Sequence, residues 1–248
     1  MRLLMRFFGL VLVAAGAVLV SALCIAFIQH EFFGKGNPIA KAHVATIDIS
    51  GVILNSQQFT KDLKEILERP NAKALVVRIN SPGGLVGPSQ EMFEAIKKAD
   101  AKIPVVISMG PLAASGGYYA ALAGRKVFAN PGTLTASIGV IMELVNTEKL
   151  YQWAKMERQT IKAGKFKDVG SPSRPMKPEE RALLQAMLDN IHVQFKAAVK
   201  ERRNLPDEDI EKYCDGRVMT GEQAFKAHLV DVLGGFEDAV KEAKLLAK

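Results

Sequence analysis

From residue 43 onward, short runs of β-branched residues alternate with longer amphipathic stretches. Strands are predicted at His43–Ile49, Ala74–Ile79, Pro104–Ser108 and Lys126–Ala129. Helices are predicted at 57–69, 88–98, 113–123, 178–203, 220–228 and 236–247. Such alternation is typical of βαβ units with right-handed crossovers, so the fold class is α/β with a mainly parallel sheet.

An uncharged stretch, Phe7–Ile28, precedes this region and is 22 residues long. As a helix it would span about 33 Å, which matches a bilayer core of about 30 Å. Cleavable signal peptides usually have a shorter apolar core of about 7–15 residues, although alanines within the stretch leave cleavage open. Arg2 and Arg6 precede it, so the positive-inside rule places the N-terminus in the cytoplasm and the chain after the stretch on the other side of the membrane. In a bacterium this would be the periplasmic or extracytoplasmic side of the inner membrane.

We therefore expect four parts: a cytoplasmic N-terminus (1–6), a transmembrane anchor (7–28), a linker (29–41) and one folded domain (42–248). The chain is 48% hydrophobic and 24% charged, which is ordinary globular composition. Its net charge is +7, but acids are interleaved with the bases and no basic run contains aromatics, so nucleic-acid binding finds no support. Two cysteines, Cys24 and Cys214, give no disulfide framework, and Cys214 is expected to be buried.

Three glycine- and hydroxyl-rich segments follow predicted strands. Asn80–Gly84 ends in two glycines, whose amides could stabilise an oxyanion or simply form a turn. In Ala113–Ala120, Ser115 could be a nucleophile at a helix start or only an N-cap, which is the commoner role of such a serine. Pro131–Val140 reads as a small loop entering an apolar strand, and turn chemistry alone explains it.

The histidines do not indicate a Ser-His-Asp triad. His30, His43, His192 and His228 all lie outside glycine-rich loops and resemble ordinary surface or core histidines. There is no HExxH motif and no Cys/His cluster, so no metal site is expected. If the chain is hydrolytic, a Ser-Lys pair is the remaining arrangement. The lysine-rich segment 161–168 could supply the base if burial lowered a lysine pKa from about 10.4 toward 7–8.

Several segments in a fixed order carry a family resemblance. They are NSPGG (80–84), AASGGYY (113–119), TLTASIGV (133–140), IKAGKFKD (161–168), SPSRPM (171–176) and DGRVMTG (215–221). With them the chain resembles the signal peptide peptidase A family, in its short, single-module bacterial form. The resemblance covers nearly the whole region after the linker.

The resemblance implies a fold similar to ClpP and crotonase, with stacked β-β-α units. It also implies five site residues: Ser115 as nucleophile, Lys167 as base, Gly83 and Gly116 as oxyanion-hole donors, and Ser137 as the hydroxyl that orients the lysine. Lys165 would lie close to Lys167 without a catalytic role. Two positions depart from the family pattern: Ala136 and His228 stand where glycine is usual. We expect Ala136 to be tolerated and the turn at His228 to differ slightly.

The implied function is a membrane-anchored Ser-Lys endopeptidase for residual signal peptides and other unfolded or membrane-associated peptides. It would need no cofactor, contact membrane lipid through its N-terminal helix and form a ring-shaped homo-oligomer with active sites shared between subunits. Two alternatives remain at this point: a crotonase-type acyl-CoA enzyme, and a catalytically silent membrane scaffold.

Overall fold

A single sheet organises residues 43–247, which are the residues that the computed structural model describes. Its strands are β1 (His43–Ser50), β2 (Ala72–Ser81), β3 (Val105–Ala114), β4 (Lys126–Ala129), β5 (Leu134–Ala136), β6 (Val218–Thr220) and β7 (Val232–Leu233). The helices are α1 (Gln57–Leu67), α2 (Val86–Asp100), α3 (Gly116–Ala121), α4 (Glu148–Trp153), α5 (Pro178–Arg203), α6 (Asp207–Tyr213), α7 (Gly221–Lys226) and α8 (Phe236–Leu246).

The central strand order is β1-β2-β3-β4-β7, and all of these pairs are parallel. β5 pairs with β3 in parallel and with β6 in antiparallel orientation. The predicted α/β class with a mainly parallel sheet is confirmed.

The predicted anchor, cytoplasmic N-terminus and linker lie outside the described residues. Within 43–247, no helix combines the length and the apolar character needed to cross a bilayer.

Both faces of the sheet are covered, which explains the apolar runs Ala74–Val77 in β2 and Val105–Ile107 in β3. On one face, Leu75, Val77 and Ile107 pack with residues of α1, α2, α3 and α5. On the other, Val76 and Val106 pack against the small residues of α8. These strand residues are fully buried, so the strands that lead to the candidate site are held rigidly by close packing.

β3 changes partner along its length. Val106–Ser108 pair with β4, whereas Leu112–Ala114 pair with β5. The predicted helix over 113–123 is therefore too long at both ends, because Ala113 and Ala114 continue the strand and α3 spans only Gly116–Ala121. The prediction that the segment Pro131–Val140 is a loop entering an apolar strand is also wrong: a strand, Leu134–Ala136, lies within the segment, and residues 137–147 contain no helix or strand.

The long helix α5 is predicted with its observed bounds, Pro178–Arg203. Near its C-terminus, the Arg202 guanidinium donates to the carbonyl oxygens of Leu122 (2.9 Å) and Ala123 (3.0 Å), just after α3. This arginine satisfies carbonyls that the end of a helix leaves without partners. It ties α3, the helix that follows Ser115, to the body of the domain.

The turn after α7 has the conformation that a glycine would adopt, although His228 occupies it. His228 has φ 57°, and the Leu229 amide donates to the Ala224 carbonyl at 2.8 Å, as in a glycine-terminated helix. His228 thus keeps the geometry of a glycine-terminated helix at this turn. The histidine side chain is exposed, so its main effect here is backbone strain.

His228→Gly is expected to raise the free energy of unfolding by about 0.5–1 kcal/mol, since relief of left-handed strain outweighs the greater freedom of the unfolded chain. Denaturant unfolding of the two proteins measures the difference. Ala227→Gly is the matched control, because Ala227 has an ordinary φ of −87° and should lose stability. A His228→Gly protein less stable than the parent would contradict the strain assignment.

Candidate active site

Three parallel strands end at the same edge of the sheet and bring the predicted motifs together. Ser81 of β2 lies opposite Ala113 of β3, and Ala114 lies opposite Ala136 of β5. The residues that follow each strand are therefore neighbours at the carboxyl edge, the usual position for sites in open α/β sheets.

Ser115 joins β3 to α3 in a strained conformation, with φ 52° and ψ −121°. Its backbone amide donates to the Ala136 carbonyl at 2.8 Å, and its carbonyl accepts from the Tyr119 amide at 2.8 Å. It occupies the N-cap position, but its side chain makes no capping hydrogen bond. The N-cap interpretation of the hydroxyl is therefore wrong, and strained backbone of this kind clusters at functional sites.

Gly83 and Gly116 lie against each other beside this serine. A Cβ added to Gly83 would lie 2.5 Å from the Gly116 nitrogen and 2.9 Å from the Ser115 Cβ, so no side chain fits there. The Gly116 amide opens α3 and has no acceptor within its own helix. The Gly83 amide donates to the Ser81 hydroxyl at 3.0 Å. The two predicted oxyanion donors are thus adjacent, and the Gly83 amide is already engaged in this state.

Ala136 and Ser137 both have left-handed backbone, with φ 62° and 52°. Ala136 is fully buried, and its carbonyl is the one that receives the Ser115 amide. The Ser137 amide donates to the Arg217 carbonyl at 2.9 Å. Alanine therefore stands at a position whose conformation favours glycine, and the loop keeps that conformation.

A cavity of about 580 Å³ opens at Ser115. Its lining residues include Ser115, Ser137, Gly84, His192 and Asp215. It brings together the nucleophile and the orienting hydroxyl predicted from sequence.

Sequence reasoning missed His192, which lies in the middle of α5 and reaches the cavity only through folding. Its Nε2 lies 3.0 Å from the Ile138 carbonyl and 2.8 Å from the Cys214 carbonyl. A nitrogen between two acceptors must carry the proton, so Nε2 is a donor and cannot take a proton from serine. The ring links the two segments that wall the cavity.

Asp215 also lines the cavity and pairs with Arg217, whose side chain donates to the carboxylate at 2.7 Å. The Arg217 hydrogen bonds lower the pKa of Asp215 to about 2. At neutral pH this carboxylate is therefore ionised and hydrogen-bonded to Arg217, which makes it a poor general base.

The lysine loop (residues 161–168) lies apart from this cavity in the single chain. Lys167 is exposed and lines neither of the two cavities that contain Ser115. Lys162 donates to the Lys165 carbonyl at 2.9 Å and pairs with Asp168, while Lys165 pairs with Glu179 at 2.5 Å. Lys167 is in no ion pair within residues 43–247.

A cluster of charged side chains adjoins this loop. The Arg174 guanidinium donates to the Asp168 carboxylate at 2.9 Å and to the Glu180 carboxylate at 2.5 and 2.8 Å. Hydrogen bonds from Lys162 and then Arg174 lower the pKa of Asp168 to about 2. Hydrogen bonds from Arg174 and from the Lys177 amide lower the pKa of Glu180 to about 2. Both carboxylates raise the pKa of Arg174 above its ordinary value, Glu180 most strongly.

Comparison with known proteins identifies the family. Residues 97–248 match the model of peptidase family S49. The chain belongs to this family. Residues 53–136 also match the Clp protease model. The predicted resemblance to the signal peptide peptidase A family is confirmed.

Two curated relatives show how far the similarity extends. A putative protease of Synechocystis is 42% identical over 82% of this chain and 74% of its own length. A putative signal peptide peptidase of Enterococcus faecium is 35% identical over 77% of this chain and 56% of its own length.

The fold is similar to that of a ClpP1 mutant from Listeria monocytogenes, with a TM-score of 0.52 and 18% identity over 79% of this chain and 94% of that chain. The predicted ClpP-like fold is confirmed. Membership of a peptidase family supports one of the interpretations left open by the sequence: the protein is a serine peptidase, a hydrolase, and not a crotonase-type acyl-CoA enzyme.

The charged cluster makes a pH-dependent prediction. The pKa of Glu180 falls from 4.5 to about 2 on folding, so its contribution to stability is present above pH 4.5 and is lost as the pH falls toward 2. Glu180→Gln should therefore be less stable than the parent at pH 6, and the difference should shrink between pH 4.5 and 2. Denaturant unfolding at several pH values measures it.

The control is Glu65→Gln, because Glu65 is exposed on α1 and forms no ion pair within residues 43–247. It should match the parent at every pH. A Glu180→Gln deficit that stayed constant down to pH 2 would show that the carboxylate charge is not what stabilises the cluster.

Proposed function

We propose that the protein is a membrane-anchored endopeptidase with a Ser115–Lys167 dyad, and that it hydrolyses residual signal peptides and other unfolded or membrane-associated peptides. The observation that carries the proposal is Ser115 itself, whose hydroxyl has no capping role and which lines a cavity next to two glycine amides. The uncharged stretch 7–28 supports an inner-membrane anchor with the catalytic domain on the periplasmic or extracytoplasmic side. The name of the Enterococcus faecium relative supports the substrate class.

The mechanism is acyl transfer through serine. Neutral Lys167 takes the proton from the Ser115 hydroxyl as Oγ attacks the peptide carbonyl carbon. The carbonyl oxygen gains negative charge and is stabilised by the Gly116 amide and by the Gly83 amide, once the latter exchanges its Ser81 acceptor for the oxyanion. Lysine gives the proton to the leaving amine as the C–N bond breaks. Water, deprotonated by the same lysine, then attacks the acyl carbon, and the lysine passes that proton to Ser115 Oγ as the ester bond breaks.

The pairing of the loop lysines favours Lys167 as the base. Lys162 and Lys165 each lie in an ion pair, and an adjacent carboxylate stabilises the charged form of a lysine. A general base must be neutral to accept a proton. Lys167 has no such carboxylate partner within residues 43–247.

The position of Lys167 favours a dyad shared between subunits. It is exposed in the single chain and lines neither cavity at Ser115. A neighbouring subunit in a ring would bring its own lysine loop to this serine. Burial against that neighbour would supply the desolvation that lowers a lysine pKa.

The segment between the cavity and the lysine loop, residues 141–161, has an exposed apolar surface. Ile141, Val145, Trp153 and Ile161 are 83, 72, 82 and 101% exposed, and α4 buries no residue at all. Exposed apolar patches of this kind mark interaction sites. A second copy of the chain covers this surface in the assembly we propose, and ring closure would admit extended polypeptides while excluding folded ones.

A small recess of about 30 Å³ beside Ser115 has largely apolar walls. Its walls include Val86, Val140, Phe195 and Tyr119. The Tyr119 ring is held between Phe93 and Phe195, at centroid distances of 5.3 and 4.7 Å. Signal-peptide cores are apolar, and the apolar character of these walls supports the proposed substrate class.

Lys167→Ala and Ser115→Ala should each abolish hydrolysis of an unfolded polypeptide, because one removes the base and the other the nucleophile. Lys165→Ala, two residues away on the same loop, is the matched control and should stay largely active. Rates with a fluorogenic peptide, beside melting temperatures that show intact folding, test this. A dead Lys165→Ala with an active Lys167→Ala would move the base to Lys165, and a folded, active Ser115→Ala would remove the serine mechanism.

Co-expression of full-length Ser115→Ala and Lys167→Ala chains should restore activity from two inactive parents. With random mixing, one partner supplies serine and the next supplies lysine at about a quarter of the interfaces of a cyclic assembly. Different affinity tags on the two chains allow mixed oligomers to be isolated before the peptide assay.

The control mixes Lys167→Ala with the double variant Ser115→Ala/Lys167→Ala. Neither chain of this mixture carries Lys167, so it should stay inactive. Isolated mixed oligomers of the two single variants that remained inactive would place both dyad residues in one chain.

A further inference from the structure

Arg174 occupies a bridging position that the dyad itself does not explain. Its Nε and Nη2 donate to Asp168 Oδ2 at 3.1 and 2.9 Å, and its Nη1 and Nη2 donate to the two oxygens of Glu180 at 2.8 and 2.5 Å. One guanidinium therefore holds two carboxylates at once. Its planar fork suits this bidentate geometry, which a lysine ammonium cannot reproduce.

The far end of the bridge is anchored in the first turn of α5. The Glu180 side chain is only 2% exposed, and its Oε2 also accepts from the Lys177 amide at 2.9 Å. A buried carboxylate is costly unless a cation and hydrogen-bond donors satisfy it. This carboxylate is fully satisfied, so it forms a fixed point to which the loop is attached.

The near end of the bridge is the residue next to Lys167. Asp168 follows it directly, and tight turns surround both: the Lys167 amide donates to the Gly164 carbonyl at 3.2 Å and the Ser171 amide to the Asp168 carbonyl at 3.0 Å. Residues 161–167 are all exposed, so no buried side chain fixes this part of the loop. Two contacts join it to the first turn of α5: the solvent-exposed ion pair Lys165–Glu179 and the more buried Asp168–Arg174–Glu180 bridge.

We propose that Arg174 is a positioning residue. By holding Asp168 against Glu180, it fixes the backbone next to Lys167 and so orients the Lys167 side chain for its contact with Ser115. The inference rests on the proposed function of Lys167. Its premise is geometric, since a displacement of about 1 Å of a catalytic group costs about 100-fold in rate. Without the bridge the loop would still contain Lys167, but the lysine Nζ would no longer be held at the position where it accepts the serine proton.

The test uses the full-length enzyme and the fluorogenic peptide. Arg174→Ala should lower kcat about 100-fold with KM changed less than about threefold, because the bridge does not touch substrate. Arg174→Lys should be nearly as impaired, because one ammonium cannot hold both carboxylates. Added guanidinium, at tens of millimolar, should restore at least about tenfold of the Arg174→Ala rate by refilling the site. Arg125→Ala is the matched control: it removes a guanidinium that pairs with Asp100 at 3.2 Å, and it should behave as the parent with and without guanidinium.

The outcomes separate this inference from the proposed function. If Lys167→Ala is inactive while both Arg174 variants keep parental kcat, the positioning role is wrong and the dyad stands. If Lys167→Ala is active, Lys167 is not the base, and the proposed function and the positioning role of Arg174 are both wrong. A kcat loss that follows a lower melting temperature or lost assembly, and that guanidinium does not reverse, would show a merely structural role and overturn the inference. Should Arg174→Ala fail to fold, the kcat and KM of Arg174→Lys decide the question.

Discussion

The change of partner along β3 is the feature on which the site depends. The first part of the strand pairs with β4 and the last part with β5, so β5 ends beside Ser115 rather than elsewhere on the sheet. The hydrogen bond from the Ser115 amide to the Ala136 carbonyl completes that pairing beyond the end of the strand. Because β2 ends on the other side of β3, the glycine motif and the serine meet at one edge.

Bringing these chain ends together costs backbone strain. Ser115, Ala136 and Ser137 all adopt left-handed φ values although none is glycine. Such conformations cost about 1–3 kcal/mol each and persist only where the surrounding structure determines them. Here the surroundings are strands β2 and β3, most of whose residues are buried. The rigid core thus holds the serine in a conformation that an isolated peptide would leave, with its hydroxyl free of a capping bond.

Different interactions hold Ser115 and the lysine loop in place. Ser115 is held by close packing and by backbone hydrogen bonds at the end of a buried sheet. The lysine loop is exposed and is held by charged hydrogen bonds through Arg174. Packing leaves Ser115 little freedom, whereas the ion cluster holds a loop that is exposed in the single chain. This difference fits a site that is completed on assembly.

The sequence by itself determined the α/β alternation, the bounds of α5 and the motifs that identify the family, because periodicity and glycine positions are local properties of the chain. It did not determine the short strand β5, the N-terminal limit of α3 or the place of His192 at the cavity. A three-residue strand has almost no periodic signal, and its existence depends on a partner far away in the chain. Whether the Ser115 hydroxyl caps a helix or faces a cavity was likewise decided by tertiary structure, since the same residues at a helix start permit both.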